Sequence, residues 1–253
     1  MVTATFEFQG YLNDFLDYPF RHRMFESACA ESATTKHMIE AFGVPHTEVG
    51  RVVVNDEASS LHHLLQEGDH VVIHPPGIPV QNEEGAGLPA APPLFLADAH
   101  LGGLARLLRM AGFDTFYDNA IHDDDVVRIA AEQNRIILSR DRELLKRRMI
   151  VSGCYIRSLE PASQMKEVVT RFSLAQHARP FTLCLHCNRL LASVDKASVL
   201  ESLPPSVRNY HTEFSRCACC KRVYWRGSHW QRMQAMLKEI VADPADSDTS
   251  ETH

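Results

Sequence analysis

Residues 94–118 read LFLADAHLGGLARLLRMAGFDTFYD, and their pattern decides the fold. LFLA (94–97) is a continuous apolar run, as expected of a strand buried on both faces. Leu101, Leu104, Leu107, Leu108 and Ala111 then recur at helical spacing, and Gly112 closes the helix. FDTFYD (113–118) returns to strand composition. The alternation continues downstream. Asp123 reads as the N-cap of a helical stretch, DDVVRIAAEQN. RIILS (135–139) reads as a third strand, RDRELLKRR as a helix after it, CYIRS (154–158) as a fourth strand, and a further helix is expected near 162–175. Alternating strands and helices of this kind predict a three-layer α/β domain over 94–180 with a mostly parallel sheet.

Upstream the pattern differs. TATFEFQGYL alternates Ala4, Phe6 and Phe8 with Thr3, Thr5 and Glu7, a half-buried strand. A helix is expected near 34–42, stopped by Gly43 and Pro45, with β runs at 51–55 and 70–75. Strand–strand–helix–strand–strand order predicts a β-grasp domain over 1–80. It resembles the ubiquitin-like sulfur carriers, but those end in a Gly-Gly that is activated as an acyl-adenylate. HPPGIPV (74–80) has none, so sulfur transfer is set aside and an interaction module is expected. QNEEGAGLPAAPP (81–93) reads as a linker and ADPADSDTSETH (242–253) as an acidic disordered tail.

Two Cys-x-x-Cys pairs, Cys184/Cys187 and Cys217/Cys220, predict a structural zinc ribbon over 181–241. Zn²⁺ takes a tetrahedral soft-ligand shell, and each pair turns two sulfurs toward one ion. The plainer reading is four unrelated core cysteines. Cys219 is out of register, Cys29 and Cys154 read as small buried hydrophobes, and His186 is left out because four cysteines already complete a shell.

A net charge of −6 conceals an asymmetry. Residues 1–80 carry 4 Lys/Arg against 11 Asp/Glu, whereas 181–241 carry 9 against 4. The front domain is acidic and the C-terminal part basic. No apolar run reaches the roughly 18–20 residues of a membrane span, and MVTATFEFQG has no signal-peptide pattern. Cys-x-x-Cys pairs without an export signal point to a reducing compartment, the cytoplasm.

Functional groups in parallel sheets gather at the C-terminal ends of strands. Asp98 follows LFLA, Asp141 sits two residues after IILS, and Asp123, Asp124 and Asp125 open the helix between them. Clustered carboxylates raise each other's pKa, and a bound Mg²⁺ or Mn²⁺ relieves that repulsion. Asp is also a common cap, so spacing alone leaves a catalytic cluster and a set of helix caps both open.

Taken together, FLADAHLGGLARLLRMAGFDT, DDDVVRIAAEQNRIILSRDREL and CLHC…CACCKRVYWRGSHW resemble the Mut7-C RNase family, a branch of the PIN-like nuclease fold with a C-terminal zinc ribbon. The front domain resembles the ubiquitin-like module fused to it. The resemblance implies metal-dependent RNA cleavage. On matching positions it makes Asp98 and Asp141 ligands of Mg²⁺ or Mn²⁺ and gives the third acidic position to Asp123 or Asp124. Ser139 stands where the family has Thr, and Glu143 takes the place of a further carboxylate. The implied partner is RNA, single-stranded or structured, with tRNA and rRNA among the candidates; the β-grasp domain would have a protein partner.

Arg106 and Arg109 on the leucine helix, the run Arg140, Arg142, Lys146, Arg147 and Arg148, and Lys221, Arg222, Trp225, Arg226 and His229 on the ribbon are candidate RNA contacts. Each has a plainer reading: solvated helix faces for the basic residues and packing under the knuckle for one of the ribbon aromatics. A non-catalytic RNA-binding adaptor and a zinc-stabilised scaffold are the alternatives to a nuclease.

Overall fold

The computed structural model describes residues 1–77 and 91–241. The proposed tail and all but the last three residues of the proposed linker lie outside them. In chain order the elements are β1 (Val2–Phe8), β2 (Phe25–Cys29), α1 (Thr35–Ala41), β3 (Arg51–Val54), β4 (Glu57–Ser59) and β5 (His70–His74). These are followed by β6 (Phe95–Ala97), α2 (Gly102–Met110), β7 (Thr115–Phe116), α3 (Asp123–Gln133), β8 (Ile136–Ser139), α4 (Arg142–Leu145), β9 (Gly153–Tyr155) and α5 (Pro161–Arg171). The last group is β10 (Leu191–Val194), α6 (Pro205–Tyr210), β11 (Phe214–Cys217), β12 (Val223–Trp225) and α7 (Ser228–Val241). Packing divides them into two compact units that do not follow sequence order. Met1–Val80 joins His122–Tyr155, and Gln81–Ile121 joins Ile156–His253.

The first unit is built on a five-stranded sheet of order β2-β1-β5-β3-β4, with β1 and β5 parallel and their other neighbours antiparallel. This is β-grasp topology. The alternation in β1 buries Ala4, Phe6 and Phe8 against Ile39, Val71 and Ile73 in one core. Thr34 caps α1, its hydroxyl accepting from the His37 amide. Residues 122–155 add the parallel pair β8–β9. Asp123 is the first residue of α3, not its cap; His122 holds the cap position and makes no side-chain cap bond.

These later residues are fastened to the β-grasp sheet by buried polar contacts. Glu48, 0% exposed, accepts the Tyr155 amide at 2.7 Å. The two ring nitrogens of His46 face oxygen acceptors, the Glu40 carboxylate at 2.7 Å and the Ile150 carbonyl at 2.8 Å. Arg142 lies over the rings of Phe15 and Tyr155, at 4.9 and 5.5 Å, and donates to the Phe15 carbonyl.

In the second unit, β6 and β7 pair in parallel, and α2 follows β6 after a 3₁₀ turn at Ala99–Leu101. Gly112 ends α2 at φ +93°, and a Cβ there would collide with the Arg179 carbonyl. That close approach lets the chain leaving α5 cross the end of α2. The Arg179 and Phe181 amides donate to the Ala111 and Met110 carbonyls, both at 2.8 Å. From there the chain enters an antiparallel ribbon of order β10-β11-β12. The ribbon core is small: Val199, Leu203, Val207 and Phe214, flanked by Val194, Val223 and Trp225. Among the described residues, no helix is long and apolar enough to cross a membrane.

Glu48→Ala removes the carboxylate that accepts the Tyr155 amide from the β-grasp side. Unfolding free energy should fall by about 1–3 kcal/mol. Urea denaturation measures this, and an unchanged midpoint would show that the contact does not fasten the unit.

Candidate functional site

The two cysteine turns meet. Cys184 Sγ lies 3.5 Å from Cys220 Sγ, Cys187 Sγ lies 3.3 Å from Cys217 Sγ, and all four sulfurs fall within 4.8 Å of one another. A tetrahedron with Zn–S bonds of about 2.3 Å has edges of about 3.8 Å, so the spacing suits one zinc ion. The left-handed residues Asn188 and Lys221 close the two turns, each donating its amide back to the first cysteine of its pair. Burial by itself would raise the Cys184 thiol, but hydrogen bonds from the Tyr224 hydroxyl and from the Cys187 and His186 amides lower it to about 6. Cys187 is pushed up, first by burial and then by its neighbouring thiols. Tyr224 is thus the aromatic beneath the knuckle, its hydroxyl 3.1 Å from Cys184 Sγ.

The first cysteine turn is tied to α2 and β7 by side chains far away in sequence. Arg109 is only 5% exposed and donates to the carbonyls of Thr115, Leu185 and His186. Burial lowers its pKa, while the thiols of Cys184 and Cys187 and the Asp114 carboxylate oppose that shift. Asn188 accepts from the Thr115 amide and donates to Asp114 at 2.6 Å. Arg109 is therefore removed from the candidate RNA contacts: its guanidinium is spent on main-chain carbonyls.

The candidate carboxylates lie after β6, after β8 and at the start of α3. Asp98 follows β6, is half-buried, and accepts the Ala99 amide at 2.6 Å. Asp141 caps α4, one oxygen accepting from both the Glu143 and Leu144 amides, while the buried Ser139 hydroxyl accepts the Asp141 amide. Asp123 and Asp124 are exposed and share Arg147, at 3.2 and 2.6 Å. Among the described residues, the four cysteines are the one group of three or more His, Cys, Asp or Glu whose ligand atoms come together closely enough for a shared ion.

The basic run is more engaged than its sequence implied. Arg142 is taken up by Phe15 and Tyr155, which withdraws it from the RNA contacts. Lys146 pairs with Glu143 at 2.7 Å and Arg147 with the two aspartates. Arg140 is half-buried, and Arg148 and Arg106 are exposed. On the ribbon, Lys221 donates to the Ala218 carbonyl, Arg222 is exposed, and Arg226 pairs with Glu213 at 3.4 Å. Trp225 is half-buried against the ribbon core, a packing role. The His229 side chain lies outside the described residues. Phe181, absent from the sequence expectations, packs against Trp230, the rings tilted at 38° with centroids 5.0 Å apart. No periodicity links two residues 49 positions apart, so only the fold brings them together.

With this geometry in place, the chain belongs to the Mut7-C RNAse domain family, whose model matches residues 93–237; the Mut7-C ubiquitin model matches residues 1–80. No curated protein matches the chain. Among solved structures, the small archaeal modifier protein 1 of Haloferax volcanii is 16% identical with a TM-score of 0.25, covering 30% of this chain and 100% of its own. A putative molybdopterin converting factor subunit 1 from Pyrococcus furiosus is 15% identical with a TM-score of 0.24, covering 30% and 100%.

Arg109→Leu strands three carbonyls and should lower stability by at least about 2 kcal/mol. Arg106→Gln, three residues earlier on the exposed side of α2, should stay within about 0.5 kcal/mol of the parent. Urea midpoints of the two variants test the contrast, and equal midpoints would refute the anchoring role of Arg109.

Proposed function

We propose that this chain is a divalent-metal-dependent ribonuclease that hydrolyses RNA phosphodiester bonds in the cytoplasm. The supporting observation is the RNase-domain match across 93–237, within which Asp98 and Asp141 stand just beyond the C-terminal ends of β6 and β8. Along the sequence we divide it into the β-grasp domain 1–80, a PIN-like nuclease domain 94–180 and the ribbon 181–241.

Carboxylate oxygens are the donors that Mg²⁺ and Mn²⁺ prefer, so Asp98 and Asp141 suit that role chemically, with Asp123 or Asp124 as the third acid. The ion, when bound, supplies water of lowered pKa and charge stabilisation at phosphorus. The chain's part is positioning. The Ala99 amide orients Asp98, and the Glu143 and Leu144 amides orient Asp141. Arg147 holds Asp123 and Asp124 at the start of α3. Exposed ion pairs of that type are worth about 0–1 kcal/mol, so this pairing yields readily to a metal or a phosphate. The four cysteines hold a structural Zn²⁺. The acidic front domain has a protein partner, and RNA is drawn to the basic remainder.

One observation favours a second reading, a non-catalytic RNA-binding protein: Arg147 already neutralises two of the four candidate carboxylates. Asp98→Asn separates the two readings. Asn keeps the shape and the acceptor for the Ala99 amide, so the fold should persist. Hydrolysis of a generic RNA with Mn²⁺ should fall by at least about 100-fold while RNA affinity changes little, because phosphate contacts lie elsewhere. A folded Asp98→Asn protein that cuts at the parent rate would remove the nuclease centre from this position.

For the ribbon, elemental analysis of freshly purified protein should find one zinc per chain. Cys187→Ser should lose it and make 181–241 sensitive to protease, since structural zinc contributes on the order of 10 kcal/mol to folding. Zinc-free parent protein with an intact ribbon would contradict the assignment.

A further inference from the structure

The second unit contains two adjoining depressions that the carboxylates and cysteines do not use. The larger, about 1130 Å³, lies between the ribbon sheet and α7; Phe181, Tyr210, His211, Trp225 and Trp230 are among its lining residues, with Arg226 at its edge. The smaller, about 470 Å³, is bounded by Arg106, Arg109, Arg222, His186 and Tyr117. Arg106, Leu185, Val223 and Tyr224 line both, so the two adjoin.

We infer that together they form a binding site for one unpaired nucleotide of an RNA strand, with its base in the aromatic chamber and its phosphate in the arginine niche. The ligand class rests on the ribonuclease reading; the partition into base and phosphate sites rests on the geometry.

Several observations carry it. The chamber already holds an aromatic pair under a guanidinium. The Phe181 and Trp230 rings lie 5.0 Å apart at 38°, and the Arg226 guanidinium lies 5.4 Å over the Trp230 ring. Arg226 is 67% exposed and its ion pair with Glu213 is a surface one, so a flat base displaces it at little cost and takes its place on the indole. Phe181 is held at φ +62°, a backbone conformation rare for an aromatic residue, with its amide bonded to the Met110 carbonyl. Main-chain strain that aims a ring into an open groove is the kind found at ligand sites. The chamber is at or above the usual range for small-ligand pockets, about 300–1,000 Å³, so a base and its ribose fit.

The niche supplies the complementary charge. Arg106 and Arg222 are exposed at its mouth, and the buried Arg109 adds fixed positive charge behind them although its donors are committed to carbonyls. Gly102 forms part of the wall, where a Cβ would lie 2.6 Å from the Tyr117 hydroxyl, so any side chain there would crowd that wall. Tyr117 also fixes direction. Its hydroxyl donates to the Ala99 carbonyl at 3.0 Å, so the niche wall is bonded to the residue next to Asp98. A strand with its base in the chamber and its phosphate in the niche runs toward that carboxylate. Bases in a duplex are stacked and paired, so the site takes single strands and rejects helices.

The test uses full-length, zinc-loaded protein without added Mg²⁺ or Mn²⁺. The probes are an unstructured oligouridylate ten-mer and a ten-base-pair RNA duplex, and the readout is tryptophan fluorescence, since Trp225 and Trp230 are the two tryptophans and both line the chamber. The single strand should quench emission and bind at least tenfold more tightly than the duplex. Trp230→Leu should weaken single-strand binding by about tenfold. Arg106→Gln, an exposed position that does not endanger folding, should weaken it several-fold and flatten its salt dependence. Parent affinity in folded Arg106→Gln protein, or a duplex bound as tightly as the single strand, would overturn the proposal. A parent protein that binds the single strand in this way but cuts no RNA with Mn²⁺ would refute the ribonuclease reading and leave the groove standing.

Discussion

Four sulfur atoms within 4.8 Å of one another set the terms for the C-terminal half of this protein. Thiols so close cannot all ionise without a cation: Cys184 is drawn down to about 6, whereas Cys187 and Cys220 are pushed up. A divalent soft ion resolves the conflict by accepting all four as thiolates. The ribbon needs that help. Its core rests on Val199, Leu203, Val207 and Phe214, too little apolar surface for a module of this size to fold alone. The first cysteine turn also depends on Arg109 and Asn188, which bind it to α2 and β7. Ribbon and strand–helix–strand segment are therefore one packed unit, and the wall of the proposed nucleotide groove comes from both.

The β-grasp sheet shows the same economy. Instead of standing as a separate bead, it has Glu48, His46 and Phe15 bonded to the segment carrying α4 and β9. Arg142, one residue after Asp141, lies over the paired rings of Phe15 and Tyr155. The front module thus braces the turn that presents one of the candidate metal ligands.

Much of the fold was legible because its signals are local. Alternation marked β1, the apolar run LFLA marked β6, leucine spacing marked α2, and the paired cysteines marked the ribbon. The candidate carboxylates beside β6 and β8 were chosen by the same reading. What sequence missed depends on contacts between distant segments. Arg109 sits in a leucine-rich helix and reads as surface, because helical periodicity assumes one buried face; its second face is covered by a turn 76 residues later. Arg142 read as part of a basic run because nothing near it foretold an aromatic pair from residues 15 and 155. Asp123 has cap chemistry, yet His122 takes the cap position because the helix begins one residue earlier. Phe181 and Trp230 became a pair only once the ribbon had folded back on α7.

The proposed hydrolysis uses water, not the ribose 2′-hydroxyl, as the nucleophile, and the ends of the RNA fragments record which it was. Cleavage of a defined RNA by the Mn²⁺-supplied protein in ¹⁸O-labelled water, with the products resolved by mass spectrometry, reads this directly. Hydrolysis through an aspartate-held ion gives linear phosphate ends carrying one ¹⁸O from the first turnover. Fragments ending in unlabelled 2′,3′-cyclic phosphate would contradict it, since internal attack by the 2′-oxygen needs no activated water.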